Sequence, residues 1–261
     1  MNLFDSHAHY DDEKFDLDRE IVIKETLENG VSNFIVAGYD IESSKKAIEI
    51  VKKCEAAYAI IGISPDGVKN IKNSNDIEKD IYEIRKIIEN NKKIVAVGEI
   101  GLDYYWNKEN KELQKEMFIK QIELANSLDL PIVIHTREAI NDTLQILKEN
   151  PVKNKGIFHC CPLNRELVKE ALKLGYYISL SGVITFKNAK NADEIIKMIP
   201  EDKILIETDS PYLSPEPFRG KRNNCTNVRY VAEKIATVKS ETLEDIAQIT
   251  NINAKKIFKL F

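Results

Sequence analysis

The chain has 261 residues, enough for one α/β barrel or for two smaller domains. With 43% hydrophobic and 31% charged residues, it can bury a full core and keep a solvated surface. The net charge of −4 provides no overall basic field, which argues against a protein that coats nucleic acid or binds acidic membranes as a whole.

Eight short apolar runs recur along the chain, and each is followed by an amphipathic segment. Because the runs lack regular polar alternation, they predict strands that are buried on both faces. The runs span residues 2–7, 33–38, 58–63, 94–98, 131–135, 156–159, 176–180 and 204–208.

The segments between the runs carry apolar residues at helical spacing. One such stripe runs through Ile77, Ile81, Ile84 and Ile88, and another through Val228, Val231, Ile235 and Val238. A stripe of this kind can lie against a sheet.

This alternation predicts an α/β fold, a (β/α)8 TIM barrel that forms a single domain over residues 1–261. The stretch after Arg222 adds extra C-terminal helices and no strand. An open, doubly wound sheet is the alternative. The absence of a glycine-rich phosphate loop after the first run counts against a nucleotide-binding fold.

The cysteines and the start of the chain bear on the compartment. Cys160 and Cys161 are adjacent, Cys54 and Cys225 are isolated, and no CxxC pair occurs. A reduced, cytoplasmic setting fits this pattern. The first residues contain no apolar stretch for a signal peptide, and no apolar run is long enough to cross a bilayer. We therefore expect no membrane partner, and nothing in the sequence requires a protein partner.

All four histidines of the chain, His7, His9, His135 and His159, fall at or just after the ends of predicted strands. In a barrel, these ends form one rim that carries the active site. His7 and His9 point the same way because residues i and i+2 share a face of an extended chain. Imidazoles gathered in this way suit a divalent metal such as zinc.

Two carboxylates join the histidines at the same rim, Glu99 after the fourth run and Asp209 after the eighth. A carboxylate in an apolar strand costs several kcal/mol unless it is paired or binds a metal. Glu207 and Asp5 are positioned to orient ligands from behind. Six ligands exceed the needs of one ion, so we expect two divalent metals (Zn, Mn or Mg) roughly 3.5–4 Å apart that activate a water.

Several motifs, in order along the whole chain, resemble those of the TatD family of metal-dependent deoxyribonucleases, within the amidohydrolase-like barrels. They are DSHAHYDDEKFD, VGEIGLDYY, LPIVIHTREA, GIFHC, ETDSPYL, FRGKRN and TNINAKKIFKL. The resemblance implies one metal on His7, His9 and Asp209, a second on His135 and His159, and Glu99 as the bridge. It also implies exonucleolytic cleavage of DNA, and we expect Asp209 to act as general base.

Given such a substrate, Arg137 is expected to contact a phosphate. Tyr104, Tyr105 and Trp106 are candidates to stack on bases, with loop packing as the equally weighted alternative. Arg219, Lys221 and Arg222 form a compact basic cluster that could bind phosphate, although such clusters are often only solvated.

Three loops depart from the family pattern. Ser64 stands where a histidine precedes the proline after the third strand, Cys161 and Pro162 replace Phe-Ser after His159 and Cys160, and Asn224 and Cys225 replace Glu-Pro. None is a proposed ligand, so these departures concern the substrate pocket.

Two further functions stay open: hydrolysis of another ester or amide bond, as in an aminoacyl-tRNA deacylase or small amidohydrolase, and a metal-binding protein without turnover.

Overall fold

The computed structural model describes residues 1–260. Eight parallel strands pair in chain order from β1 to β8 in one sheet. The strands are β1 Leu3–Ala8, β2 Val31–Ala37, β3 Ala57–Ile61, β4 Ile94–Asp103, β5 Ile132–Arg137, β6 Gly156–Phe158, β7 Tyr177–Leu180 and β8 Ile204–Ile206.

Backbone hydrogen bonds between the segment after β8 and the end of β1 close the barrel. The amide of Asp209 donates to the carbonyl of His7 (2.9 Å), and the amide of His9 donates to the carbonyl of Ser210 (2.7 Å). The prediction of a (β/α)8 barrel is therefore confirmed, and the open sheet is not formed.

Helices cover the outside of the barrel because their apolar stripes pack on strands that are buried on both faces. The helices are α1 Arg19–Glu28, α2 Ile41–Lys53, α3 Ser74–Glu89, α4 Lys111–Ser127, α5 Ile140–Glu149, α6 Arg165–Lys173, α7 Ala192–Met198, α8 Val228–Lys239 and α9 Leu243–Ile257. The stripe at Ile77, Ile84 and Ile88 is buried in α3. No helix within residues 1–260 is long and apolar enough to cross a membrane.

The extra C-terminal helices are present, and α9 packs at the start of β1. The side chain of Asn251 donates to the carbonyl of Asn2 (2.9 Å), and the ring of Phe258 lies 6.1 Å from that of Phe4. His7 and His9 lie at the other end of β1. The C-terminal helix therefore covers the end of the barrel opposite the histidines.

Strand lengths differ from the prediction at the ends that matter for the site. β4 continues to Asp103, so Glu99 lies inside the strand, whereas β6 and β8 end before His159 and Asp209. Gly101 permits the longer pairing, because a Cβ at this position (φ +137°) would lie 2.1 Å from the carbonyl oxygen of His135. Close approach of β4 to β5 thus brings Glu99 towards His135.

Candidate metal centre

The six residues singled out as ligands meet at the C-terminal mouth of the barrel. They form two groups of atoms that share one carboxylate. The six residues are His7, His9, Glu99, His135, His159 and Asp209.

The first group joins His7 and His9, at the end of β1, with Asp209. The Nε2 atoms of His7 and His9 face each other at 3.3 Å. Oδ1 of Asp209 lies 3.4 Å from Nε2 of His9 and 3.9 Å from Nε2 of His7. Oε2 of Glu99 lies 3.4 Å from Nε2 of His7. Two imidazole nitrogens and two carboxylate oxygens thus surround one small space.

The second group lies on the other side of Glu99. Nδ1 of His135 and Nε2 of His159 are 3.2 Å apart. Oε1 of Glu99 lies 2.9 Å from the former and 3.3 Å from the latter. Glu99 therefore directs one oxygen into each group.

The outer nitrogens of two histidines fix which ring nitrogen faces inward. Nδ1 of His9 lies 3.0 Å from the carbonyl oxygen of Ala37, and Nε2 of His135 lies 3.0 Å from Oδ2 of Asp103. A carbonyl or an ionised carboxylate can only accept, so both outer nitrogens carry the hydrogen. The inner nitrogens are then the ones available to a metal.

His159 follows the same pattern less closely, with Nδ1 3.4 Å from Oε1 of Glu207. The inward atoms of the centre are thus imidazole nitrogens and carboxylate oxygens, all acceptors when unprotonated. Such atoms repel one another in a buried site unless protons or cations lie between them. A donor set of imidazoles and carboxylates suits divalent zinc or manganese, so these residues fit a metal.

The electrostatics reflect the same competition. Burial opposes ionisation of Glu99, but the imidazoles of His159, His135 and His7 outweigh it and hold the pKa of Glu99 well below its usual range. Burial lowers the pKa of His9, but the hydrogen bond and charge of Asp209 raise it to about 9. Carboxylates held ionised and an imidazole held protonated thus offset each other's charge in the centre.

Asp5 and Glu207 support the backbone around the ligands. The carboxylate of Asp5 accepts hydrogen bonds from the amide of His7 (3.2 Å) and from the amide and hydroxyl of Thr208 (3.0 and 2.6 Å). Glu207 accepts from the amide of Cys160 (2.7 Å). Asp5 therefore ties β1 to the segment after β8, and Glu207 holds the turn that carries His159.

A cavity of about 390 Å³ opens beside the second group of ligands. Its wall includes Glu99, His135 and Arg137, together with Trp106. The guanidinium of Arg137 lies 4.2 Å from the ring centroid of Tyr105 and 5.5 Å from that of Trp106. The cavity thus places a cation and an aromatic surface next to the centre.

Two other residues that were predicted to contact the substrate make different contacts. Tyr104 turns away from the cavity, and Ser64 hydrogen bonds within its own loop. The hydroxyl of Tyr104 donates to Asp142 (2.7 Å), and the residue is buried and does not line the cavity. Ser64 lines the cavity, but its Oγ accepts from the amides of Asp66 (3.2 Å) and Gly67 (3.4 Å). Only the hydroxyl proton of Ser64 remains to be donated.

The basic segment at residues 219–222 lies outside the cavity wall within the described part of the chain. The guanidinium of Arg222 makes a bidentate pair with Asp18 (2.9 and 2.6 Å). Arg219 lies over the ring of Phe186, and Lys221 over that of Phe218. A phosphate at Arg222 would have to displace the carboxylate of Asp18.

Sequence reasoning missed Asp103, which holds His135 from behind. A signal was present, because Asp103 is a second carboxylate in the same apolar stretch as Glu99. It also missed Lys69, Asn107 and Tyr212, which line the cavity. These three come from separate loops, and no spacing in the sequence joins them.

An eight-stranded α/β barrel whose mouth holds buried clusters of histidine and carboxylate is the architecture of a metal-dependent hydrolase. A family model described as TatD related DNase matches residues 4–259. The chain therefore belongs to the TatD family of metal-dependent hydrolases.

Relatives and solved structures agree with this assignment. The chain is 43% identical over 259 residues to an uncharacterized metal-dependent hydrolase, YabD of Bacillus subtilis, covering 99% of each chain. It is 36% identical to the uncharacterized metal-dependent hydrolase YcfH of Escherichia coli, covering 100% of this chain and 97% of the relative. The crystal structure of YJJV, a TatD homolog from Escherichia coli, superposes with a TM-score of 0.92 at 26% identity, covering 98% of each chain.

Proposed function

We propose that the protein is a metal-dependent deoxyribonuclease that hydrolyses phosphodiester bonds of DNA from the end of a strand. The observation that carries the proposal is that Glu99 places one carboxylate oxygen in each of the two groups of candidate ligands. The description of the matched family as TatD related DNase supports DNA as the substrate.

In this proposal, His7, His9 and Asp209 would hold one metal, and His135 and His159 would hold the other. Glu99 would contribute one carboxylate oxygen to each. When bound, two such ions lower the pKa of a water and stabilise negative charge on the reacting phosphate.

Asp209 serves as the proton acceptor for the attacking water. Burial opposes ionisation of Asp209, but its hydrogen bond to His9 and the neighbouring imidazoles hold the pKa below its ordinary value. The carboxylate therefore stays ionised at neutral pH, as a general base requires. With its side chain 16% exposed, it can reach a water at the mouth of the barrel.

Arg137 and its aromatic neighbours bind the strand next to the bond that is cut. The planar guanidinium can donate two parallel hydrogen bonds to a phosphate. Trp106 and Tyr105 are 64% and 42% exposed, so the ring surfaces that Arg137 does not cover are available to a base. The guanidinium of Arg137 suits the phosphate of a nucleotide, and the neighbouring aromatic rings suit its base.

Hydrolysis of a different ester or amide bond is the second candidate, and the placement of Ser64 favours it. The hydroxyl of Ser64 caps its own loop, so it offers a phosphate at most one neutral hydrogen bond. An uncharged substrate would lose less from this arrangement than a phosphodiester would.

A substrate panel tests the proposal against this candidate. Single-stranded DNA, duplex DNA, RNA, aminoacyl-tRNA and small amides are incubated with the metal-free protein reloaded with zinc, manganese or magnesium. We expect cleavage of DNA that is lost in Asp209→Asn and reduced in Arg137→Ala. Arg165→Ala is the matched control, because this exposed arginine pairs with Glu194 away from the cavity. Turnover of aminoacyl-tRNA or amides without DNA cleavage would refute the nuclease assignment.

A further inference from the structure

The proposed metal centre and the aromatic wall of the cavity meet at one carboxylate, that of Asp103. Oδ2 accepts from Nε2 of His135 at 3.0 Å. Oδ1 accepts from the backbone amides of Tyr105 and Trp106, both at 2.8 Å. Asp103 is 6% exposed, so water competes little for either oxygen.

A buried glutamine of α4 holds the same loop from behind. The side chain of Gln114 accepts from the amide of Asp103 (2.8 Å) and donates to the carbonyls of Asp103 (3.2 Å) and Asn107 (2.7 Å). Both ends of the loop at residues 103–107 are therefore fixed to a helix. With the loop ends held, the two bonds to Oδ1 determine how the aromatic residues between them are presented.

The cavity wall depends on this loop. Asp103 is the register partner of Arg137 across β4 and β5, and the guanidinium of Arg137 rests on the rings of Tyr105 and Trp106. Displacement of the loop would remove the aromatic surface that supports Arg137. His135, two residues before Arg137, contacts the same carboxylate.

We propose that Asp103 is a positioning residue that couples metal binding at His135 to the conformation of the loop at Tyr105 and Trp106. The inference rests on the proposed metal centre. One oxygen keeps the hydrogen on Nε2 of His135 and so directs Nδ1 to the metal; the other holds the loop that forms the cavity wall. Occupancy of the metal site and the shape of the wall then depend on each other.

Asp103→Asn separates the two contacts. An asparagine oxygen can still accept from the amides of Tyr105 and Trp106, but its NH2 group cannot accept from His135. The imidazole would then favour the tautomer with its hydrogen on Nδ1, facing Glu99, which weakens His135 as a ligand. Loss of such an outer partner typically weakens metal binding about 10–100-fold.

Zinc titration of the metal-free protein, followed by tryptophan emission and by bound zinc after equilibrium dialysis, tests the coupling. Trp106 is the only tryptophan of the chain, so its emission reports on this loop alone. We expect wild-type emission to change as zinc binds the site at His135 and His159. In Asp103→Asn, one zinc of two should bind about 10–100-fold more weakly, and the emission change should be lost.

Asp142→Asn is the matched control. Its carboxylate accepts from the hydroxyl of Tyr104 at the same loop but contacts none of the six proposed ligands in the described structure. Two zincs and the emission change should be retained in this variant. Far-UV circular dichroism establishes that both variants are folded.

Three results would overturn the proposal. If Asp103→Asn binds two zincs with wild-type affinity, Asp103 does not position His135 for metal binding. If the wild type binds zinc normally but Trp106 emission does not change, metal binding is not coupled to the conformation of the loop. A wild-type protein that takes up no zinc overturns the metal centre as well. Because no substrate is present, the outcome is independent of the bond that the enzyme hydrolyses.

Discussion

Loading the centre with metal should release protons, because the inward nitrogens hold protons when no metal is bound. Burial lowers the pKa of His159, but Glu99 and Glu207 raise it above the ordinary value of 6.5. Burial also lowers the pKa of His135, but Asp103 and Glu99 raise it above that value. The pKa of His9 is raised to about 9. A metal accepts only the neutral imidazole, so binding must displace these protons.

The size of the release follows from these shifts. At pH 6.5, a raised pKa means that His9, His135 and His159 are each more than half protonated in the metal-free protein. His7, whose pKa is lowered by burial and by His159, is mostly neutral. Full loading should therefore release about two or more protons per chain at pH 6.5, one from His9 and more than half from each of the other two.

The same shifts set the pH dependence of the stability conferred by metal. A raised imidazole pKa stabilises the metal-free fold fully below pH 6.5, and that contribution is lost as the pH rises through the folded pKa. For His9 the change between pH 6.5 and about 9 is on the order of 3 kcal/mol. The stability that zinc adds over the metal-free protein should therefore grow across this range.

Isothermal titration calorimetry with zinc, in buffers of different ionisation enthalpy, counts the protons. His9→Gln should release about one proton fewer, because one protonated imidazole is removed. Tyr39→Phe is the matched control: its ring lies 5.9 Å from that of His9, yet it provides no ligand, and it should leave the count unchanged. Zinc binding at pH 6.5 without proton release would refute the reasoning.

Three further substitutions test individual roles. Glu99→Gln should weaken both metal sites together, measured as bound metal per chain, and full retention of one site would exclude the bridge. Asp209→Asn should keep the fold, by circular dichroism, and lower turnover at least ~10²-fold, whereas near-normal turnover would move the base elsewhere, with Glu207 next. Ser64→His should raise kcat/KM on DNA about tenfold, more at lower pH, since a charged hydrogen bond exceeds a neutral one by roughly 1–1.5 kcal/mol. Loss of DNA activity in that variant would favour a different substrate.

The alternation of apolar runs and amphipathic segments was sufficient to predict the barrel, because burial on both faces and helical periodicity are local properties of the chain. The positions of the four histidines were sufficient to predict one rim, since parallel strands of a barrel end on the same side. His159 and Asp209 reach that rim although the strands before them end earlier than predicted, at Phe158 and Ile206.

The outer contacts of the centre depend on which strands become neighbours. Asp103 faces His135 only because β4 runs past Glu99 and pairs with β5 as far as Arg137. Closure of the barrel likewise brings Asp5 to Thr208, 203 residues away along the chain. Periodicity within a segment carries no information about such partners.

The fate of the other charged and aromatic candidates was also decided by tertiary structure. Arg222 has the sequence context of a phosphate contact, but folding places Asp18 against its guanidinium. Tyr104 and Trp106 are two residues apart in the sequence, yet Tyr104 turns to Asp142 while Trp106 lines the cavity. The sequence by itself determined the barrel and the residues at its mouth. Only the packing of distant segments decided which atoms face the centre, because hydrogen-bond partners are chosen by distance in space.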